Sequence, residues 1–179
     1  MLDNYISSDE IEAQHLEDIQ NLIANHPDCY VRTHFTPGHV TGSALLISHD
    51  KTRVLMNYHR SLQKWLSFGG HADGDRDILN VARREVIEES GIENIEQVGT
   101  GVFDVDVHLI PENPKKGEPA HSHFDIRFLF RVRTPEDEAF VLSDESISLK
   151  WCTPEEALSL AQSAGMGRLL NKWVLAKKA

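Results

Sequence analysis

The sequence predicts a protein of the α/β class, more exactly α+β, in which a mixed β-sheet packs between helices and one further helix comes first. The chain has 179 residues, which suits one domain, since domains typically run to about 100–150 residues. Helical and strand-like patterns follow one another as helix, strands, helix, strands, helix, without an internal repeat. Strand patterns exceed helical ones between Tyr30 and Cys152, and such a sheet needs helices to cover its faces.

The first predicted helix lies near the start of the chain. Ser8 is a suitable cap residue, and apolar side chains then recur at helical spacing as far as His26-Pro27. We therefore expect residues 1–28 to form an N-terminal helical extension packed on a domain that comprises residues 29–179.

The remaining elements are predicted from periodicity and from turn signals. Asp77–Glu89 is expected to be a helix stopped by Ser90-Gly91, and two further helices are expected after Thr153 and after Gly165 or Gly167. Segment 111–119 is rich in Pro, Lys and Gly and must be a loop. The predicted strands are Tyr30–Phe35, His39–Ser48, Arg53–Tyr58, Gln97–Leu109, His121–Val132 and Ile147–Cys152.

The net charge and the number and spacing of the cysteines limit the classes of partner and the cellular compartment expected for this chain. The chain carries 18 Lys plus Arg against 28 Asp plus Glu, a formal net charge of −10, which disfavours a nucleic acid duplex or an anionic membrane but suits divalent cations. Cys29 and Cys152 are the two cysteines and have no Cys-x-x-Cys spacing, which excludes a cysteine-rich zinc site or disulfide scaffold. Together with the lack of a signal-like start, this predicts a cytoplasmic protein.

Three glutamates of the second predicted helix share one face. Glu85, Glu88 and Glu89 stand at positions i, i+3 and i+4, within an arc of about 100°. Like charges at this spacing are mildly unfavourable unless a cation compensates them, and Mg²⁺ prefers oxygen ligands. Gly69 and Gly70, upstream, let the backbone approach a ligand. The alternative for an arbitrary glutamate triplet is a solvated acidic face.

This segment resembles the Nudix box, whose pattern is Gly-x5-Glu-x7-Arg-Glu-U-x-Glu-Glu-x-Gly-U, with U a bulky aliphatic residue. Gly70 matches the first glycine, and the run from Arg84 to Ile92 matches the whole second half. Arg76 replaces the first Glu of the pattern, which in the family supports the loop through the box arginine. We expect Asp75 or Asp77 to compensate Arg84, and Arg76→Glu to be tolerated or stabilising.

The resemblance implies a Nudix-type α/β/α sandwich and a hydrolase that cleaves a nucleoside diphosphate linked to another moiety, with Mg²⁺ or Mn²⁺. Glu85, Glu88, Glu89 and the Gly70 carbonyl would be metal ligands, and one glutamate can also act as the base. Glu145 is a further catalytic candidate, with a solvated loop acid as an equally weighted alternative. The expected partner is a small nucleotide diphosphate derivative, and a homodimer is compatible with the sequence.

Two other functions stay open for such a domain. A Nudix domain that only binds or senses a nucleotide is the main alternative. It is supported by Arg76, which stands where the Nudix pattern has its first Glu. An isomerase of the isopentenyl-diphosphate type would need a cysteine in the cleft, and neither Cys29 nor Cys152 lies near the expected loops.

Polar side chains also alternate with apolar ones along two predicted strands. If these strands form a hairpin, both polar sets lie on one side of the sheet. We weigh three interpretations: a lining of the substrate cleft, a solvated face, and a second, transition-metal site at His108, His121 and His123. The alternating residues are Asp104, Asp106, His108, His121, His123, Asp125 and Arg127.

Substrate contacts are expected from the glycine turn, from the polar strand face and from an aromatic side chain. His71 can join the polar cluster or contact a phosphate, and Trp65 can stack on a base or pack in the core. No subfamily marker in the sequence identifies the substrate. The predicted substrate-binding residues are Trp65, Gly69, Gly70, His71, His121 and His123.

Overall fold

The computed structural model describes residue 2 and residues 4–176 of the chain. Four α-helices lie in this part: α1 (Glu10–Asn25), α2 (Ile78–Ser90), α3 (Pro154–Leu160) and α4 (Ala164–Ala176). None of these described helices is both long and apolar enough to cross a bilayer. The strands are β1 (Gly38–Ile47), β2 (Val54–His59), β3 (Lys64–Leu66), β4 (Phe68–His71), β5 (Ile95–Gln97), β6 (Asp104–Ile110), β7 (His121–Val132) and β8 (Ser146–Cys152).

The sheet is mixed, as predicted. Its strand order is β3-β2-β1-β7-β5, with β4 paired to β1, β6 to β7 and β8 to β2. Pairs β1–β2, β2–β3, β2–β8, β5–β7 and β6–β7 are antiparallel. Strands β1 and β7 run in the same direction, because Pro37 accepts a hydrogen bond from Ser122 while Ser43, further along β1, donates to Asp125. The predicted α+β class is thereby confirmed.

Two predicted strands are wrong in detail. Residues 30–35 form turns, in which the Val31 N–H donates to Asp28 and the His34 N–H donates to Val31. The predicted strand Gln97–Leu109 is split into β5 and β6, because Gly99 takes φ +81 and ends the extended backbone. Short strands β3 and β4 were not predicted.

One compact unit consists of residues 1–43, 69–82 and 101–128. Within it, α1 packs against β6. The buried Glu12 accepts hydrogen bonds from the hydroxyls of Tyr5 and Ser7 and, at 3.2 Å, from the Val105 N–H. The cap of α1 is Asp9 rather than Ser8, since Asp9 accepts from the Glu12 N–H. The predicted helical extension is thus tied to a strand by a buried carboxylate.

The other compact unit consists of residues 44–68, 83–100 and 129–179, of which those up to 176 are described. Strand β2 pairs with β3 on one edge and makes a six-residue ladder with β8. Helix α3 begins at Pro154, and its N-cap Thr153 forms a reciprocal capping box with Glu156, as the Thr-Pro start predicts. Buried Leu169, Leu170 and Trp173 place one face of α4 in the core.

Candidate functional site

Helix α2 presents the three glutamates that the sequence singles out. It begins after Asp77, whose carboxylate accepts a hydrogen bond from the Asn80 N–H at 3.2 Å. It ends at Ser90, and the next residue, Gly91, has φ +71. This left-handed conformation favours glycine, so the Ser-Gly end of the matched pattern is a helix C-cap.

Glu85 and Glu88 lie beside the arginine of the same pattern. The Arg84 guanidinium donates to Glu85 at 2.8 Å and lies 4.0 Å from Glu88. Burial raises the pKa of Glu85, the negative charges of Glu88 and Glu145 raise it further, and Arg84 opposes them. Burial is the main cause of the raised pKa, and a divalent cation at this face would favour the ionised form of Glu85.

Glu89 is buried and held from β2. The side-chain amide of Asn57 donates to Glu89 at 2.6 Å. Asn57 is also buried, and it is the polar exception in the apolar run that starts at Val54. The sequence interpretation missed Asn57. An amide side chain in an otherwise apolar strand segment is nevertheless a recognisable signal, because a buried polar group needs a hydrogen-bond partner.

Glu145 lies close enough to influence Glu85 but remains exposed. Its side chain is 71% accessible, and the Nε2 atom of His59 lies 3.7 Å from its carboxylate. Trp65 lies on β3 and packs on Tyr58 of the neighbouring strand, with ring centroids 5.2 Å apart. Trp65 is half-buried, so it packs on one face and keeps part of its surface accessible.

Arg76 has its own contacts. Its guanidinium donates to the Pro27 carbonyl at 3.1 Å and covers the Tyr30 ring at 5.4 Å. Arg84, in turn, has Glu85 and Glu88 as partners. Because Arg84 already has carboxylate partners, the expected stabilisation by Arg76→Glu loses its physical basis.

Arg76→Glu is expected instead to lower the free energy of unfolding by about 1 kcal/mol, because it removes one hydrogen bond and one cation–π contact at an exposed position. Urea denaturation measures the change, and Arg76→Lys, which keeps the cation, is the matched control. If Arg76→Glu instead raised the free energy of unfolding, the original expectation that this change stabilises the fold would be correct.

The polar strand faces of β6 and β7 come together as predicted. The register pairs Asp104 with Arg127, Asp106 with Asp125 and His108 with His123. Arg127 donates to Asp125 at 2.7 Å, to Asp106 at 2.9 Å and to Asp104 at 3.2 Å. All four residues are buried, so the solvated-face interpretation is wrong for this part of the sheet.

Burial opposes the charge on Arg127, but its carboxylate partners outweigh burial and hold the pKa of Arg127 above its ordinary value. The pKa of Asp125 is held below its ordinary value despite burial, because Arg127 lies against it. Thr41 and Ser43 of β1 donate to Asp125 at 2.9 and 2.7 Å. The pKa directions of Asp125 and Arg127 thus favour their ionised forms, and all four members of the group are hydrogen-bonded.

Next to this ion network lies a histidine cluster, which we define as His39, His71, His108, His121 and His123. Neighbouring ring centroids in it are 4.8–5.6 Å apart. Burial lowers the pKa of His39 to about 4 and that of His123 to about 3, so both are neutral at pH 7. The sequence interpretation missed His39, although His39, Thr41 and Ser43 alternate along β1 as the other polar faces do.

Gly69, Gly70 and His71 form the end of β4. A Cβ at position 69 would lie 2.2 Å from the Ser43 hydroxyl, so glycine is needed there for the close approach of β4 to β1. This gives Gly69 a packing reason in addition to the predicted substrate contact. His71 follows directly and enters the histidine cluster.

Comparison with known proteins identifies the class. The NUDIX domain model matches residues 38–173, and the chain belongs to this family. It is 33% identical over 109 residues to the asymmetrical bis(5'-nucleosyl)-tetraphosphatase of Caenorhabditis elegans, a match that covers 61% of this chain and 72% of that protein. The predicted family and enzyme class, a Nudix pyrophosphohydrolase acting on phosphoric anhydrides, are thereby confirmed.

Two further proteins are similar to this chain. The oxidized purine nucleoside triphosphate hydrolase of Danio rerio is 35% identical over 68 residues, covering 33% of this chain and 44% of that protein. A crystal structure of a C. elegans Ap4A hydrolase binary complex superposes with a TM-score of 0.62 at 22% identity, covering 78% of this chain and 97% of that one. The structural likeness supports the fold.

Proposed function

We propose that this protein is a metal-dependent Nudix hydrolase that cleaves a pyrophosphate bond in a nucleoside diphosphate linked to another moiety. The observation that carries the proposal is the acidic face of α2, where Glu85, Glu88 and Glu89 occupy the carboxylate positions of the matched pattern. The C. elegans relative is named for hydrolysis of a dinucleoside tetraphosphate, a substrate of this bond type.

The donor set of α2 fits Mg²⁺ or Mn²⁺. All of its donors are carboxylate oxygens, which Mg²⁺ prefers, and the pKa of Glu85 is raised mainly by burial, with smaller contributions from the charges of Glu88 and Glu145. When bound, such an ion neutralises pyrophosphate charge and lowers the pKa of its bound water. Asn57 holds Glu89 in place, and Glu85 or Glu89 accepts the proton of the attacking water.

Further roles are proposed from the family resemblance. Gly70 would add a carbonyl ligand to the metal, and Glu145, exposed and close to Glu85, would be an auxiliary base. Trp65, Gly69, His71, His121 and His123 are proposed to contact substrate. The accessible part of Trp65 supports base stacking.

Replacing His121 with Ala is expected to raise KM several-fold on the best substrate while the fold is retained. Its ring is buried in the histidine cluster, with Nδ1 donating to the Pro119 carbonyl at 2.7 Å, and Nε2 is the ring nitrogen proposed to contact substrate. Steady-state kinetics measure the effect, and His49→Gln, a histidine of the other compact unit, is the control. An unchanged KM would remove His121 from the substrate-binding set.

The function is tested by hydrolysis of a substrate panel with Mg²⁺ and with Mn²⁺. The panel contains dinucleoside polyphosphates, nucleoside triphosphates, nucleotide sugars and ADP-ribose, and products are separated by anion-exchange chromatography. We expect metal-dependent release of a nucleotide from at least one substrate, abolished by EDTA. Tight nucleotide binding without turnover would support the alternative, a nucleotide-sensing Nudix domain.

The wider setting is proposed from composition. The acidic balance of 28 carboxylates against 18 basic residues supports a small-molecule partner rather than a nucleic acid duplex or a membrane. Cys29 and Cys152 are both free and buried, which suits a cytoplasmic location. We propose that residues 1–28 form a helical extension and residues 29–179 form the Nudix domain. A homodimer is the oligomeric state to test.

A further inference from the structure

We propose that His39, His71 and His123 form a second metal site, selective for Zn²⁺ and chemically distinct from the carboxylates of α2. The three side chains come from β1, β4 and β7 of one compact unit. One ring nitrogen from each lies within 4.8 Å of the other two. The site therefore has three converging imidazoles.

His39 is already oriented as a ligand. Its Nδ1 lies 3.3 Å from the His34 carbonyl, to which it donates, so that the lone pair resides on Nε2. The Nε2 atom is buried and has no hydrogen-bond partner in the described part of the chain. Buried polar atoms are nearly always satisfied, and metal-binding histidines commonly donate their second nitrogen to a backbone carbonyl. A metal ion would satisfy Nε2.

The His34 ring is itself fixed, with Nδ1 2.7 Å from the Gly38 carbonyl. These hydrogen bonds fix segment 34–38 at the start of β1, and the His34 carbonyl orients the ring of His39. An outer layer of this kind is typical of metal sites whose ligands are held in one tautomer.

His71 and His123 complete the site at its more accessible side. Their ring centroids lie 5.0 and 4.8 Å from that of His39. Zn²⁺ binds imidazole nitrogen at about 2.0–2.1 Å in tetrahedral geometry, so two nitrogens on one ion lie about 3.4 Å apart. The widest pair, within 4.8 Å here, must close by up to about 1.4 Å, which side-chain torsions of two half-buried histidines can provide.

The choice of metal follows from the donors. Three neutral imidazoles suit Zn²⁺ and other late first-row ions, whereas Mg²⁺ selects oxygen. Three protein ligands leave a fourth position for water or a substrate oxygen. Of the three histidines predicted for such a site, His123 alone belongs to this set, in which one ring nitrogen each of His39, His71 and His123 lies within 4.8 Å of the others.

The test uses full-length, tag-free protein stripped of metal, in which Glu85→Gln and Glu89→Gln together disable the carboxylate face. Competition with a chromophoric chelator then measures Zn²⁺ binding. We expect one equivalent to bind tightly. Adding His39→Gln should weaken binding at least about 100-fold, since it removes a direct ligand, whereas adding His49→Gln should leave binding unchanged.

A second measurement does not depend on how the histidine variants fold. Co²⁺ added to the metal-free protein with both glutamates replaced should give the intense visible d–d bands of a four-coordinate site, and Zn²⁺ should displace them. The proposal would be overturned by weak octahedral Co²⁺ bands or by the absence of bound Zn²⁺. It would also be overturned if folded His39→Gln and His123→Gln variants bound Zn²⁺ as tightly as the protein that keeps both histidines.

Discussion

Glu85→Gln and Glu89→Gln are each expected to lower kcat at least about 100-fold, the largest catalytic effect that we expect in this chain. A catalytic metal contributes several kcal/mol of charge stabilisation, and each 1.36 kcal/mol is tenfold in rate. Both replacements keep the size of the side chain and remove its charge. Initial rates at saturating Mg²⁺ or Mn²⁺ on the best substrate measure the loss.

The fold should survive both changes. Glu85 loses a partly exposed ion pair with Arg84, which is worth about 1 kcal/mol or less. In the Glu89 variant, the new amide can still bond to Asn57. Glu17→Gln, an exposed position on α1, controls for loss of one negative charge. Near-normal turnover in Glu85→Gln or in Glu89→Gln would show that the glutamate roles implied by the family are wrong in this chain.

Arg127→Met is expected to destabilise the fold by about 3–5 kcal/mol, the largest effect on stability. This one guanidinium contacts three buried carboxylates, and removing one partner from a buried ion network leaves charge less compensated. Methionine keeps the apolar stem of the side chain, so the loss reports the charge and its hydrogen bonds. Urea denaturation followed by circular dichroism measures the change.

Arg133→Met is the matched control for that measurement. Arg133 lies 3.1 Å from Glu96, but its side chain is 53% accessible, so its loss should cost less than about 1 kcal/mol. If Arg127→Met were as mild as Arg133→Met, the buried network would not be a stabilising feature of this fold.

The sequence predicts those parts that local spacing determines. The helix that carries Glu85, Glu88 and Glu89, its stop at Gly91, and the shared face of β6 and β7 all follow from periodicities of 3.6 and 2 residues. The α+β class follows because strand and helix patterns alternate along the chain.

The remaining features depend on contacts between residues that are distant in the chain. His39 joins His71 and His123 only once β1 lies between β4 and β7, and no local pattern gives that order. The bond of Asn57 to Glu89 likewise depends on how α2 packs. Residues 30–35 look like a strand, yet their hydrogen bonds close turns, because tertiary context overrides β-propensity.

The buried carboxylate of Glu12 means that the family boundary is not a folding boundary. A chain beginning at residue 38, where the family match begins, would lack the acceptor for the Val105 N–H and the hydroxyl of Tyr5 that reaches the Phe103 carbonyl. It would also lack the Cys29 carbonyl, which accepts from the Val40 N–H at 2.8 Å. The described residues 4–37 are therefore an integral part of this fold, and shortening the chain to the family match would remove hydrogen-bond partners from the backbone of β1 and β6.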